Sequence, residues 1–532
     1  VTDRLLRSER GPGLREGLLA SLLIALVGLA AYGGFVADGG FYSDDWAHAA
    51  DYEFAQSPRY LNSFEQQRDF LGGRPLSAAL MPVPQALFGP NPESHLILAL
   101  VIGILTSIAF FVLLRTLGMA PLHAGAITAL ALLFPWADSS WLWATGSVNS
   151  LSVGFFLIAL TVALRGFGHR GRRGTAMHAL AALFYLASVL TYEVTAAVVI
   201  LAGLLYFGRT ERGVAIRAWA ADLAVVFAAL IYSLIATATS RQVATVRDRV
   251  EDIPDFLRES LLLLSSAFQP FGSMGRPLQA LVLMIAAAVV AVLALRLRRS
   301  GESPLREETL DGWPRWLLIG FLAAAATYFM FIGSHLYPRD GGINNRVNVF
   351  AGFAVCLLVY ATIACACQLL FRSRRVAGIA TVAVAVLLAV GYATSLSDDQ
   401  SKWRQAAEEQ RTVLDDLDSR LLPLPEHSVV LVFGYPAQAA PGIPVFDRSW
   451  DMGGALQIRS DGLVRAAYPV HENVEVICGK QVVVDGGEGY GRFPLRYDRL
   501  YFFDEKLGPQ KIDSRRRCEA TLGLFQPGPL EI

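Results

Sequence analysis

Long apolar runs alternate with short polar segments through the first three quarters of the chain. A bilayer core about 30 Å thick is crossed by roughly 17–25 apolar residues in a helix. Runs of that character lie at about 14–35, 94–114, 120–135, 148–165, 176–191, 194–208, 219–237, 278–295, 313–332, 347–370 and 376–395, about eleven spans. The stretch 176–208 is interrupted only by Thr191, Tyr192 and Glu193. Reading it as two spans places every Arg cluster on one side: the N-terminus, 165–173, 209–217, 296–299 and 372–375. The positive-inside rule makes that side cytoplasmic. The N-terminus is then inside and the C-terminus outside. No clean small-residue cleavage site follows the first run, so it is read as a retained span.

The last quarter has a different pattern. Residues 398–422 carry periodic apolar positions among charges and predict an amphipathic helix, ended by Pro423 and Pro425. Strand-like runs follow in SVVLVFG, VEVICGK, QVVVDGG and RLYFFDE, separated by Gly and Pro clusters. The Gly-rich DGGEGYGR at 485–492 lacks a strand–turn–helix context and reads as a turn. The sequence therefore divides into a membrane domain, 1–396, and an extracytoplasmic α/β or β-rich domain, 397–532.

Composition sharpens this. Of 532 residues, 54% are hydrophobic and 17% charged, against about 25% charged in ordinary soluble proteins. Mean hydropathy is +0.42. These values exclude a disordered chain and a water-soluble enzyme of usual make-up. The net charge of zero gives no overall attraction to nucleic acid. All four Lys (402, 480, 506 and 511) fall in the last quarter, beside 42 Arg overall. Cys356, Cys365 and Cys367 sit in an apolar run as packing residues, whereas Cys478 and Cys518 are placed to pair in an oxidising compartment.

Chemistry belongs on the outer side, where the loops are long and mixed. The first outer loop, about 36–93, opens with FYSDDWAHAADYEF at 41–54. Ser43 or Asp44 suits an N-cap for a helix starting near Trp46. One carboxylate suffices for a cap, which leaves the other of Asp44 and Asp45 available to take a proton from an attacking hydroxyl. His48 follows Asp44 by one helical turn, so the two are the candidate ligands for a divalent cation such as Mg or Mn.

An acidic pair just after the first span resembles the signature of the GT-C glycosyltransferase superfamily. YSDDW followed by GGRPL at 72–76 is most similar to its bacterial polyprenyl-phosphate-glucosyltransferase-like branch, and protein O-mannosyltransferases belong to the same superfamily. The resemblance implies a polytopic α-helical fold with an external C-terminal domain, and transfer of a sugar from a polyprenyl-phosphate donor to a glycan, lipid or protein acceptor. It implies that Asp44 or Asp45 acts as base, with Asp44 favoured. It also implies a bacterial cytoplasmic (inner) membrane location.

The leaving polyprenyl phosphate requires cations, and Arg matches phosphate oxygens with its planar fork. Arg74 stands before the second span, and Arg339 and Arg346 lie in HLYPRDGGINNRVN at 335–348. His335, Tyr337 and Asn345 of that loop are candidate pocket residues, as is Glu193 in its turn. Trp136, Trp141 and Trp143 read as interfacial anchors. The loop at 238–277 is a candidate surface helix or lid. A transporter or flippase of a lipid-linked glycan, an O-antigen ligase or polymerase, and a glycan-sensing protein are the alternative functions. The chain shows no internal repeat of the kind transporters carry.

Overall fold

The computed structural model describes residues 12–237, 246–268, 312–332, 334, 336–486 and 491–525. It is mostly helical, with a sheet region near the C-terminus. Among the described residues, seven helices are long and apolar enough to cross a membrane: Leu14–Asp38, Pro92–Thr116, Ser147–Gly166, Arg172–Thr191, Arg212–Thr237, Ile343–Leu370 and Arg374–Arg420. Pro121–Leu132, Ala196–Tyr206 and Trp313–Phe329 are shorter apolar helices on other predicted runs. The run at 278–295 lies outside the described residues. The spans make this a multi-pass membrane protein. Leu14, Leu18, Leu22 and Leu29 of the first span are exposed, as a lipid-facing stripe requires.

The divided stretch 176–208 folds as a hairpin. Tyr192 is extended and breaks the helix, and a turn at Glu193–Thr195 starts the return. The hydroxyls of Tyr185 and Tyr206 then meet at 3.2 Å across the two arms. Ser152 ties the turn to a neighbouring span, donating to the carbonyls of Ser188 and Tyr192, each at 2.9 Å.

Arg374–Arg420 runs unbroken for 47 residues and joins the membrane bundle to the C-terminal sheet region. Its second half is the post on which the first loop hangs. The Tyr42 hydroxyl of that loop donates to the Trp403 carbonyl at 2.8 Å, and Gln400 holds the first span by donating to the Ala31 carbonyl at 2.8 Å. Gln410 donates to the Val445 carbonyl at 2.7 Å and accepts from the Trp46 indole at 3.4 Å.

Among the described residues, the C-terminal region has nine strands: β1 Ser428–Phe433, β2 Gln438–Ala440, β3 Ile443–Pro444, β4 Val464–Val470, β5 Glu475–Cys478, β6 Val482–Asp485, β7 Arg492–Leu495, β8 Leu500–Asp504 and β9 Gly508–Ile512. The main sheet has the order β4-β1-β8-β9. β1 pairs in parallel with both neighbours and β9 runs antiparallel to β8. The central β1, SVVLVF, is buried almost throughout, which explains its continuous apolar run. The second sheet, β5-β6-β7, is an antiparallel meander, and Cys478 and Cys518 are bonded. All four predicted strand runs are strands. β4 and the helix Ser449–Arg459 go beyond the sequence reading, because VRAAYPV and SWDMGGALQIR are too rich in small and polar residues for a clear period.

That unpredicted helix is what brings the C-terminal region to the first loop. It packs on the helix Asp44–Glu53 so closely that a Cβ on Gly454 would lie 2.5 Å from the Trp46 carbonyl oxygen. Gly454→Ala is therefore expected to destabilise the fold by about 1–3 kcal/mol, as overpacking does, read as a lower thermal midpoint in detergent. An unchanged midpoint would contradict the tight apposition.

Candidate active site

The structure gives the acidic pair two different environments. Asp45 is 2% exposed. Its carboxylate accepts from the Tyr42 amide at 3.0 Å, the Thr145 amide at 2.8 Å and the Thr145 hydroxyl at 2.5 Å. Thr145 comes from the loop a hundred residues on, so Asp45 pins the 136–147 segment to the first loop. Asp44 is half-buried and lines a cavity of about 460 Å³. The expected side-chain cap is absent: Ser43 occupies the N-cap position without a capping bond and has φ 48° and ψ −119°. A non-glycine residue held there is strained. The strain falls at the residue immediately before the acid that faces the cavity.

Burial pushes the Asp45 carboxyl up to about 7, against hydrogen bonds from Thr145 and Tyr42 that pull it down. The folded chain therefore holds a proton that the unfolded chain releases between about pH 4 and 7. Stability contributed by this group is present below that window and falls as pH rises through it, by roughly 4 kcal/mol at most. Asp45→Asn is expected to flatten the decline in thermal midpoint between pH 4 and 7. An unchanged slope would contradict this assignment.

The cavity walls come from four parts of the chain: Ser43, Asp44 and His48; Phe70, Leu71, Arg74, Ser77 and Met81; Trp143, Thr145, Gly146, Val148, Asn149 and Tyr192; and Leu336, Ile343, Asn344 and Arg346. The C-terminal region completes it with Gln438, Gly442, Asp447, Arg448 and Trp450. His48 is buried, and burial holds its imidazole below the usual range against the pull of Asp44 and Asp51. Its Nδ1 is enclosed without a hydrogen-bond partner.

The phosphate candidates separate. Arg346 lines the cavity, its guanidinium 5.4 Å from the centre of the Trp143 ring. Arg74 also lines it, but its fork is engaged bidentately by Glu193 at 2.8 and 2.6 Å and lies 4.3 Å over the Tyr192 ring. Glu193 is thus turned onto Arg74 and is not part of the lining. Arg339 is exposed and does not line the cavity; its carbonyl accepts from Asn348 at 2.8 Å. Asn345 points the other way from its neighbours. It is fully buried, donates to Asp138 at 2.5 Å and accepts from the Ser139 amide at 3.1 Å. The short helix Ile343–Asn348 produces this split, sending Asn344 and Arg346 to the cavity and Asn345 inward.

Tyr337 donates to Asp252 and does not line the cavity. Asp252 belongs to the helix Val246–Ala267, the described part of the predicted surface loop, whose Val250, Leu257 and Leu261 form an exposed apolar edge. His335 lies outside the described residues. Trp136, Trp141 and Trp143 are all buried, so the anchoring role expected of them is corrected. Trp141 stacks on Tyr32 at 4.6 Å, and Trp143 forms cavity wall. Thr145, Asp447, Arg448 and Trp450 were missed in the sequence. The charged pair and aromatic in DRSW, between two apolar runs, was the available signal for the last three.

Among the described residues, no three His, Cys, Asp or Glu side chains come together as a metal-ligand set. Asp44 and His48 alone supply two donors.

No family model matches the chain, and no curated protein matches it. Its fold is similar to that of ArnT from Cupriavidus metallidurans, in a structure bound to undecaprenyl phosphate. The identity is 13% and the TM-score 0.41, over 83% of this chain and 85% of that one. It is also similar to the Archaeoglobus fulgidus oligosaccharyltransferase tethered with an acceptor peptide. There the identity is 13% and the TM-score 0.37, over 85% of this chain and 63% of that one.

Proposed function

We propose that the chain is a membrane glycosyltransferase of the GT-C type. It moves a sugar from a polyprenyl-phosphate donor to a cell-envelope acceptor on the outer face of a bacterial cytoplasmic membrane. The observation that carries this reading is a cavity holding the Asp44 carboxylate together with Arg346, at the end of the spans where the first loop begins. The disulfide between Cys478 and Cys518 supports an oxidising location for the C-terminal region.

The chemistry follows from the two groups. An acceptor hydroxyl gives its proton to Asp44 as its oxygen bonds to the anomeric carbon. The bond from that carbon to the phosphate oxygen breaks, and its electron pair leaves with polyprenyl phosphate. Arg346 meets the charge that develops there, in a site partly withdrawn from water. Asp45 acts through Thr145 as a positioning residue, fixing the 136–147 segment beside the base. Arg74 and Glu193 neutralise one another and brace the cavity rim. Asp44 and His48 do not by themselves make a cation site, and no step is assigned to a metal ion.

The test is a label chase with the purified full chain in sealed proteoliposomes. A panel of polyprenyl-phosphate sugars labelled in the sugar is offered with a crude envelope acceptor. Label is expected to pass from the lipid extract to the acceptor with inversion at the anomeric carbon. Label that crosses the bilayer still attached to lipid would overturn this reading in favour of a flippase.

A further inference from the structure

The cavity has two unlike edges. One carries apolar side chains, Phe70, Leu71 and Met81 of the first loop, beside Arg74 and Ser77. The other comes from the C-terminal region and carries no aliphatic side chain: Gln438, Asp447, Arg448 and Trp450, beside Gly442. Trp450 is 42% exposed at that edge, and the Arg448 guanidinium lies 5.8 Å from the centre of its ring. The Oδ1 atom of Asp447 is enclosed without a hydrogen-bond partner.

This edge is built to hold its shape. The buried Asp451 carboxylate accepts from the Asp447 and Arg448 amides, each at 3.1 Å, which fixes the segment leading into the helix Ser449–Arg459. That helix is seated on the Asp44–Glu53 helix through Gly454. The loop before it is joined to the Arg346 loop, where the Ile343 amide donates to the Gly442 carbonyl at 2.8 Å. Trp450, Asp44 and Arg346 therefore keep fixed relative positions.

We propose that residues 447–450 form the acceptor subsite and that the acceptor is a carbohydrate. The inference rests on the glycosyl-transfer reading above. A sugar ring presents a C–H face and a rim of hydroxyls. An exposed indole face beside the Asp447–Arg448 ion pair, whose Nε–Oδ2 distance is 3.9 Å, matches both, since a paired carboxylate keeps acceptor sites and a paired guanidinium keeps donors. A lipid acceptor requires aliphatic lining, which this edge lacks and which Phe70, Leu71 and Met81 offer to the donor's isoprenoid chain. An extended peptide draws on backbone groups. Here the Gly442 amide already donates to Gln438 at 2.9 Å and its carbonyl already accepts from Ile343.

Saturation-transfer NMR tests this without turnover. The full-length Asp44→Asn chain in nanodiscs is titrated with methyl glycosides and disaccharides of glucose, galactose, mannose, rhamnose and arabinose. At least one of these saccharides is expected to bind. Adding Trp450→Ala should weaken it about tenfold, a difference of about 1.4 kcal/mol, and Trp450→Phe should restore most of the affinity. Equal binding after Trp450→Ala overturns the subsite, as does the absence of binding by every saccharide. Donor cleavage is read separately in the wild-type chain. Cleavage that persists while saccharide binding ignores Trp450 defeats only the acceptor assignment. Cleavage that is absent with every donor defeats the transfer reading itself.

Discussion

Asp44→Asn is expected to lower kcat for sugar transfer by about a thousandfold, within the range a general base contributes, with little change in the KM for donor. The carboxamide keeps the size and the contact with Ser43, whose hydroxyl lies 3.4 Å from Asp44 Oδ1. It cannot accept the proton. The fold is expected to survive, because Asp44 is half-buried and faces open cavity, whereas the buried contacts of this turn belong to Asp45. Thermal midpoints of the two variants separate the roles. Asp44→Asn should melt with the wild type. A kcat within tenfold of the wild type would remove Asp44 from the mechanism.

Arg346→Ala is the second large effect. Removing one preorganised donor to a developing oxyanion costs about 10²–10³ in kcat. The guanidinium is held over Trp143, and its loop is anchored from behind by Asn345 between Asp138 and Ser139. Arg346→Lys should recover only part of the loss, because an ammonium keeps the charge and gives up the bidentate fork. Arg339→Ala, at an exposed position outside the cavity lining, should leave transfer unchanged. Steady-state kinetics with saturating donor distinguish the three. Equal losses for Arg346→Ala and Arg339→Ala would contradict the placement of the loop.

What the sequence disclosed and what it withheld have physical causes. The spans were legible because a bilayer imposes both length and apolarity on a segment, as in Pro92–Thr116 and Arg212–Thr237. The hairpin at Tyr192 was legible from charge bias alone. The acidic pair was legible as a candidate site because two adjacent carboxylates exceed the needs of one helix start. Which acid faces the cavity was not, since the answer lies in Thr145, distant in sequence. Arg339 and Arg346 looked alike because a loop's turn geometry decides which side chains face inward. Arg74 looked like an unpaired cation because Glu193 reaches it only through the folded hairpin. The wall from 447–450 left the weakest trace: its place at the cavity depends on a helix docking on the first loop, and the docking signal is a single glycine.

The decisive measurement is a time course with the wild-type chain in nanodiscs, offered a polyprenyl-phosphate sugar or the matching nucleotide sugar beside the same envelope acceptor. The account predicts free polyprenyl phosphate and glycosylated acceptor appearing in equal amounts from the lipid donor, and neither product from the nucleotide sugar. Release of nucleotide from the nucleotide sugar, with the lipid donor left intact, would contradict it.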